Sequence, residues 1–310
     1  MLRIGTRGSK LALWQATNVQ QRLAGRGVDS TLVVIKTTGD MRTDVPLSAV
    51  GGKALFLKEL EAALEERAID LAVHSLKDVP SILDPAFELA AYVERSDPRD
   101  AWLSRSGTAW RDPAILHIGS SSPRRRAQLL AARRDLNITM LRGNVDTRIE
   151  KMRRGEFDGI VLAAAGLVRL ERANEITSFF THDEMLPSAG QGIIAVETLR
   201  DGKAREAVAI LDDPAVRLVA EVERGVLQSF GTLLDCYSSV AVHAYIDVDN
   251  GALSAHAFFS DLEGLHVIRD HEEGAPSDAA RVVGDLAEKL KLSGAEKLLE
   301  SASASGGAYS

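Results

Sequence analysis

Cysteine is nearly absent from this chain of 310 residues, with Cys236 standing alone. A single thiol forms no internal disulfide and excludes a four-cysteine zinc site. Aromatic residues are scarce, at 5%, which leaves few rings on which nucleic-acid bases could stack. No uncharged apolar run approaches the roughly 18 residues that a membrane span requires, so no membrane association is expected. The opening passes from Met1 through Arg3 to Gly5 without an apolar core or a small-residue cleavage site. A cytoplasmic location is therefore expected. A strong excess of one charge is also missing, since 37 basic side chains meet 44 acidic ones for a net −7. That balance argues against a general nucleic-acid binder.

What remains is an ordinary globular composition, 45% hydrophobic and 26% charged. The length suits about two domains, or three small ones. The charge is unevenly spread, however. Between Gly119 and Arg172 there are twelve Lys or Arg against six Asp or Glu. A positive stretch within an acidic chain points to a small polyanionic ligand, although any one of these arginines could simply be solvated.

The first ninety residues alternate between two periods. Leu2–Ile4 reads as a strand, and Gly5-Thr-Arg-Gly-Ser9 leads into a helix with Ser9 as its N-cap. Thr31–Lys36 is β-branched, Lys53–Arg67 has helical apolar spacing, and Asp70–His74 returns to strand. Such alternation predicts a parallel sheet covered by helices. A second unit of this kind is expected from near residue 100. Its strands fall at Ile115–Ile118, Asn137–Met140 and Gly159–Ala163, with helices at Pro123–Arg134 and Val145–Arg154. After a loop at Leu186–Gly192 and a strand at Ile193–Glu197, the character changes near residue 215. A helix at Val216–Phe230 precedes a hairpin of Ser239–Val248 and Leu253–Phe259 turning at Asp249-Asn-Gly251, then a helix over Ala279–Leu292 that could reach Leu299. The Ser/Ala/Gly-rich stretch 301–310 is expected to be disordered. The fold class is α/β, with two α/β domains and a smaller C-terminal α+β domain.

Loops at the carboxyl ends of such strands commonly carry ligands. Three are suited to anions: Gly5–Ser9 with Arg7, Gly119–Arg126 with three serines and its arginines, and Arg142–Arg148. Guanidinium forks match carboxylates and phosphates bidentately. None of the three is a Walker or dinucleotide motif. His74-Ser-Leu-Lys-Asp-Val-Pro80 adds a base, a cation and a carboxylate after a buried strand. Lys77 and Asp78 could be a mere surface ion pair, or Asp78 a general acid/base in a cleft between domains. His74 lacks a second histidine at metal-ligand spacing and reads as structural. Cys236 could be an inert core thiol, but its polar neighbours suit a loop, where it could be a nucleophile or an attachment point.

These residues resemble a known family. Arg3-Ile-Gly-Thr-Arg-Gly-Ser9 with Leu11–Ala16, Thr38–Asp40, Gly51–Glu59 and Asp70–Pro80 are similar, in order, to motifs of the porphobilinogen deaminases. The match continues through Arg95–Asp100, Ser120–Arg125, Leu141–Asn144, Leu186–Gly192 and Glu223-Arg224. The resemblance implies a cytoplasmic monomer whose first two domains are like periplasmic binding proteins. It places them at 1–94 with 192–212 and at 95–191, with the third at 213–300. It implies an enzyme that joins four porphobilinogen molecules, with release of ammonia, into hydroxymethylbilane for tetrapyrrole biosynthesis. The growing chain would hang on a dipyrromethane cofactor held by a thioether to Cys236. Acetate and propionate groups on every pyrrole would account for a basic, hydroxyl-rich site in an acidic protein.

By the same resemblance Asp78 is the catalytic carboxylate, stabilising cationic pyrrole and azafulvene-like intermediates. Arg7, Ser9, Lys77, Ser120, Ser121, Ser122, Arg124, Arg125, Arg142, Arg148 and Arg169 match positions that bind carboxylates of cofactor and chain. Lys53 and Phe56 match a mobile active-site loop. Pro123 and Arg126 do not match. One departure stands out: Phe230-Gly-Thr-Leu-Leu-Asp-Cys236 is two residues longer than the family's glycine-rich turn, and Ser239-Val240 replaces a proline-containing pair. A small insertion in a surface loop costs little closure entropy, so the thiol is still expected to reach its site. The rival expectation is a non-catalytic anion-binding module of the same fold that has lost its cofactor.

Overall fold

The computed structural model describes residues 1–36, 55–235 and 238–305. Thr38–Asp40, Gly51–Lys53 and Cys236, all named above, lie outside the described residues, and of Phe56 only the helical backbone is described. The chain forms two compact units, one of residues 1–96 with 190–221 and the other of 97–189 with 222–310.

The first unit begins with β1 (Leu2–Arg7), which runs three residues further than its apolar start suggests. Ser9 caps α1 (Lys10–Ala24), its Oγ accepting the Ala12 N–H at 3.3 Å. The helix buries Ala16, Val19 and Leu23 against the sheet, while Gln15 is also buried. Then come β2 (Ser30–Ile35), α2 (Leu55–Glu65), β3 (Leu71–Ser75) and β4 (Phe87–Arg95).

In the second unit β5 (Asp100–Ser104), β6 (His117–Gly119), α3 (Pro123–Ala132), β7 (Asn137–Thr139), α4 (Val145–Arg153), β8 (Gly159–Ala163), α5 (Ala164–Arg169) and β9 (Ser178–Phe179) follow. The chain then returns to the first unit with β10 (Ile193–Leu199) and α6 (Ala204–Ala209). It leaves that unit again within α7 (Pro214–Gln228).

Both sheets share one plan. The orders are β2-β1-β3-β10-β4 and β7-β6-β8-β5-β9. In each, three parallel strands adjoin an antiparallel fourth, β10 in one and β5 in the other. The sheets are thus mixed, where alternation alone predicts parallel ones. Local periodicity shows neither β4 nor β5 as a sheet member, because the strand each pairs with lies some sixty to a hundred residues away.

A third sheet completes the second unit. Strands β11 (Ser239–Ile246) and β12 (Leu253–Ser260) form the expected hairpin, and β13 (Val267–Gly274) adds an unforeseen third antiparallel strand. Its residues Arg269 to Glu273 are charged or imidazole-bearing, so no apolar alternation announces it. The helix α8 (Ala279–Leu292) ends where expected. Gly294, at φ +93°, breaks the chain into a separate α9 (Ala295–Ser305), so residues 301–305 are helical rather than disordered.

The sequence expects residues 213–300 to form a domain of their own. Their sheet is separate, but it is tied to the helical layer of β5–β9. Ala127 and Leu186 share an apolar cluster with Ala241 and Phe258. Arg134 donates to the carbonyls of Glu263 and Gly264. Gly264, at φ +65°, lies so close to Ala127 that a Cβ would meet its carbonyl oxygen at 2.3 Å.

Candidate active-site residues

In the first unit the candidates gather at the ends of two neighbouring strands. Arg7 is the last residue of β1. Ser9 serves α1 as its cap. Past β3 the chain enters a 3-10 turn over Leu76–Asp78, closed by the Val79 N–H on the Leu76 carbonyl at 3.0 Å. Lys77 and Asp78 are half-buried on that turn.

The turn is held from several sides. Gln15 of α1 donates to Ser75 Oγ at 2.7 Å. Lys77 Nζ donates to Oε1 of the buried Gln191 at 3.4 Å. Gly190, at φ +73°, backs onto Leu76, where a Cβ would fall 2.7 Å from its side chain. A left-handed backbone at such close range admits glycine alone. His74 lies in the sheet, its Nε2 3.0 Å from Oε2 of the fully buried Glu197. Among the described residues no group of three His, Cys, Asp or Glu side chains is placed to hold a metal ion. Nearby on α2, Glu61 has its pKa pushed up to about 7, by burial first and then by the Glu197 charge.

In the second unit the serine loop after β6 splits into different roles. Ser122 caps α3, its Oγ accepting the Arg125 N–H at 3.4 Å. Ser120 Oγ accepts the Ser122 N–H at 3.2 Å. Ser121 instead donates its hydroxyl hydrogen to the Leu141 carbonyl. A serine has one hydrogen to give. In these bonds Ser120 and Ser122 act as acceptors, whereas Ser121 has committed its hydrogen.

The two matched arginines of α3 are buried, with 5% and 6% of their surface exposed. Arg124 Nη1 donates to Asp100 Oδ2 at 2.7 Å and to the Leu186 carbonyl at 2.6 Å. Arg125 reaches Asp100 Oδ1 through Nε at 2.9 Å and the Val161 carbonyl through Nη1 at 2.8 Å. Sequence reasoning pictures both as open forks, yet much of each fork is taken up by protein acceptors. Burial, and then the neighbouring Arg124 charge, draw the Arg125 guanidinium below its ordinary value, while Asp100 pulls it up. Two guanidiniums facing one carboxylate leave a positive excess beneath the serine loop.

Arg148 donates from Nε to the Gly143 carbonyl at 2.7 Å. Arg142, half-buried, is drawn below its ordinary value by desolvation and sits with Nε 3.3 Å from Met140 Sδ. Arg169 is buried at the end of α5. Arg126, outside the matched set, bonds to the Ile138 carbonyl and to Glu263.

Asp100 closes the Arg95–Asp100 motif, yet the sequence alone does not mark it as a partner of the arginines. The available signal is an acid opening the apolar run Ala101-Trp-Leu103. We predict that Asp100→Asn destabilises the fold by roughly 3–5 kcal/mol, because it strands two buried guanidiniums. Urea unfolding checks this, and a loss below about 1 kcal/mol would show the arginines balanced by other means.

On the approach to Cys236, the longer turn takes a definite form. Phe230 is buried against Phe259, with ring centroids 4.7 Å apart, and a 3-10 turn covers Gly231–Leu233. The Asp235 N–H donates to Ser238 Oγ at 2.9 Å, and that hydroxyl donates to Asp235 Oδ1 at 3.0 Å.

Residues 2–207 match the family model described as porphobilinogen deaminase, dipyromethane cofactor binding domain. The porphobilinogen deaminase of Syntrophobacter fumaroxidans is 42% identical over 305 residues, covering 97% of each chain. That of Syntrophotalea carbinolica is 44% identical, covering 96% of this chain and 95% of its own. That of Nitratidesulfovibrio vulgaris Hildenborough is 43% identical, covering 98% of each. Among solved structures, the methionine binding protein MetQ matches 68% of this chain and 89% of its own, at 11% identity and a TM-score of 0.44.

Proposed function

The chain belongs to the porphobilinogen deaminase family, and from that premise we propose how its own residues divide the work. Its activity is that of porphobilinogen deaminase (hydroxymethylbilane synthase) in tetrapyrrole biosynthesis, with porphobilinogen as substrate and a dipyrromethane cofactor. No helix among the described residues is long and apolar enough to cross a membrane. We read the chain as a cytoplasmic monomer with Cys236 as the cofactor's thioether anchor.

The donor set fits such a ligand. The buried excess of positive charge on Arg124 and Arg125, with the hydroxyl hydrogens of Ser120 and Ser122 and the N-terminal end of α3, calls for carboxylates. Arg142, Arg148 and Arg169 extend the positive set of the second unit, and Arg7, Ser9 and Lys77 are the carboxylate donors that the first unit carries by itself. When bound, the cofactor supplies the nucleophilic pyrrole carbon to which substrate is joined. The protein's part is to neutralise the carboxylates that each added ring brings, and to manage charge and protons at the reacting pyrrole.

Asp78 takes the second task. Each condensation breaks the C–N bond of the substrate's protonated aminomethyl group, releases ammonia, forms one C–C bond and frees one proton, the hydrogen displaced from the attacking pyrrole carbon. Positive charge develops on the pyrrole as the amine departs. A carboxylate held near that ring lowers the barrier electrostatically and accepts the pyrrole proton. The observation that carries this assignment is the clamped turn Leu76–Asp78, which fixes a half-buried carboxylate beside Lys77 at the end of a strand buried from Leu71 to His74. Such rigid support suits a catalytic group.

The test is direct. Freshly purified protein given porphobilinogen should release four ammonia molecules per hydroxymethylbilane formed, because a tetrapyrrole takes four substrate units. Absence of ammonia release from cofactor-bearing protein would overturn the assignment.

A further inference from the structure

Glu197 is the one charged residue of its strand. It follows Ile193-Ile-Ala-Val196 in β10 and is fully buried. On its face of the sheet Ala72, Ala195 and Leu199 belong to the apolar layer that includes α2. One carboxylate oxygen meets His74 Nε2 at 3.0 Å. The other, Oε1, is buried with no hydrogen-bond partner among the described residues.

Stability does not account for this arrangement. A carboxylate withdrawn from water is poorly compensated while one oxygen lacks a partner, and an apolar pair of similar volume is often neutral or stabilising. The field of the buried carboxylate is felt on α2, where it helps to raise the pKa of Glu61, with smaller additions from Asp84 and Glu65 and against an opposing pull from His74.

What the pair does hold is the end of β3. His74 is the last buried residue of that strand, in register with Ala195 of β10, and Lys77 and Asp78 follow within four residues. Beyond His74, the clamps are Gln15 on Ser75, Gly190 on Leu76 and Gln191 on Lys77. Three further clamps surround the turn, but among the described residues the Glu197–His74 bond is the one that joins two buried side chains within the sheet from which the turn springs.

We propose that Glu197 and His74 form a positioning pair that orients the Lys77–Asp78 turn for the condensation reaction. The proposal rests on the reading of Asp78 as the catalytic carboxylate. The pair keeps the strand end from shifting on β10, so that Asp78 meets each new pyrrole in one orientation, and it does so at the expense of fold stability.

Combined Glu197→Leu and His74→Leu substitution separates this role from a structural one. The expected double variant carries the cofactor mass, melts at the same or a higher temperature and keeps KM within about twofold, yet loses at least tenfold in kcat. A kcat within twofold of the parent overturns the proposal. So does a kcat loss that accompanies a lowered melting temperature or a missing cofactor mass, since either would mark a structural or loading role. Should the double variant fail to fold, Glu197→Gln decides. It keeps the shape of the side chain, and a fivefold or greater fall in kcat at unchanged KM and melting temperature is expected, whereas unchanged kcat overturns the proposal. Asp78→Ala is assayed alongside. If that variant turns over normally, the reading of Asp78 itself fails. If it is inactive while the pair variants are not, only the positioning role falls.

Discussion

Asp78→Ala should retain the fold and the cofactor mass while losing turnover by roughly 100- to 1000-fold, the range seen when one electrostatic stabiliser of a transition state is removed. A thousandfold loss corresponds to about 4 kcal/mol of barrier. Little stability should be lost with it. Asp78 is half-buried on a short turn, and that turn is closed by backbone and neighbouring side chains rather than by the carboxylate. The expected pattern is therefore a collapse of kcat with a melting temperature near that of the parent. Steady-state kinetics and a thermal melt on the same preparation check both halves. Turnover within tenfold of the parent would remove Asp78 from the catalytic role and direct attention to Lys77, its neighbour on the turn.

The sequence shows some of this site and conceals the rest, for physical reasons visible in particular residues. Ser9 is legible as a cap because a cap depends on the residue type immediately before a helical run, and it accepts a backbone N–H as expected, whereas the capping role of Ser122 emerges only from the structure. Gly159–Ala163 is legible because a strand buried on both faces is apolar throughout. The burial of Arg124 and Arg125 on Asp100 is not. It depends on β5 entering the sheet antiparallel beside β8, some sixty residues away in sequence, and bringing an acid beneath α3. Glu197 is hidden for the same reason. Within Ile193–Leu199 it looks like a polar residue near a strand end, and only the pairing of β10 with β3 sets it against His74. The differing bonds of Ser120, Ser121 and Ser122 follow from backbone geometry in a loop, which no periodicity encodes. Motif resemblance reached further than periodicity because it reads residues separated by the whole chain, and it identified the family to which the full-length relatives also point.

Cys236→Ser should yield a protein whose intact mass matches the bare sequence, with no detectable turnover. The parent should carry an added mass equal to two linked pyrrole units. Serine preserves size and polarity, but its hydroxyl is a far weaker nucleophile than a thiolate and does not form the thioether. The chain has no other thiol to take over. The variant should also melt lower than the parent, because on the proposed assignment the cofactor binds only the folded state and its carboxylates would offset the buried positive charge on Arg124 and Arg125. For each kcal/mol so lost, a fall of about 2–4 °C is expected. The longer turn does not weaken this expectation, for it is taken up by the ordered 3-10 turn at Gly231–Leu233 and by the Asp235–Ser238 hydrogen bonds. Mass spectrometry of parent and variant decides the matter. A parent of bare mass that stays bare after incubation with porphobilinogen would deny Cys236 its role, and a variant that still carried the added mass would place the anchor on another residue.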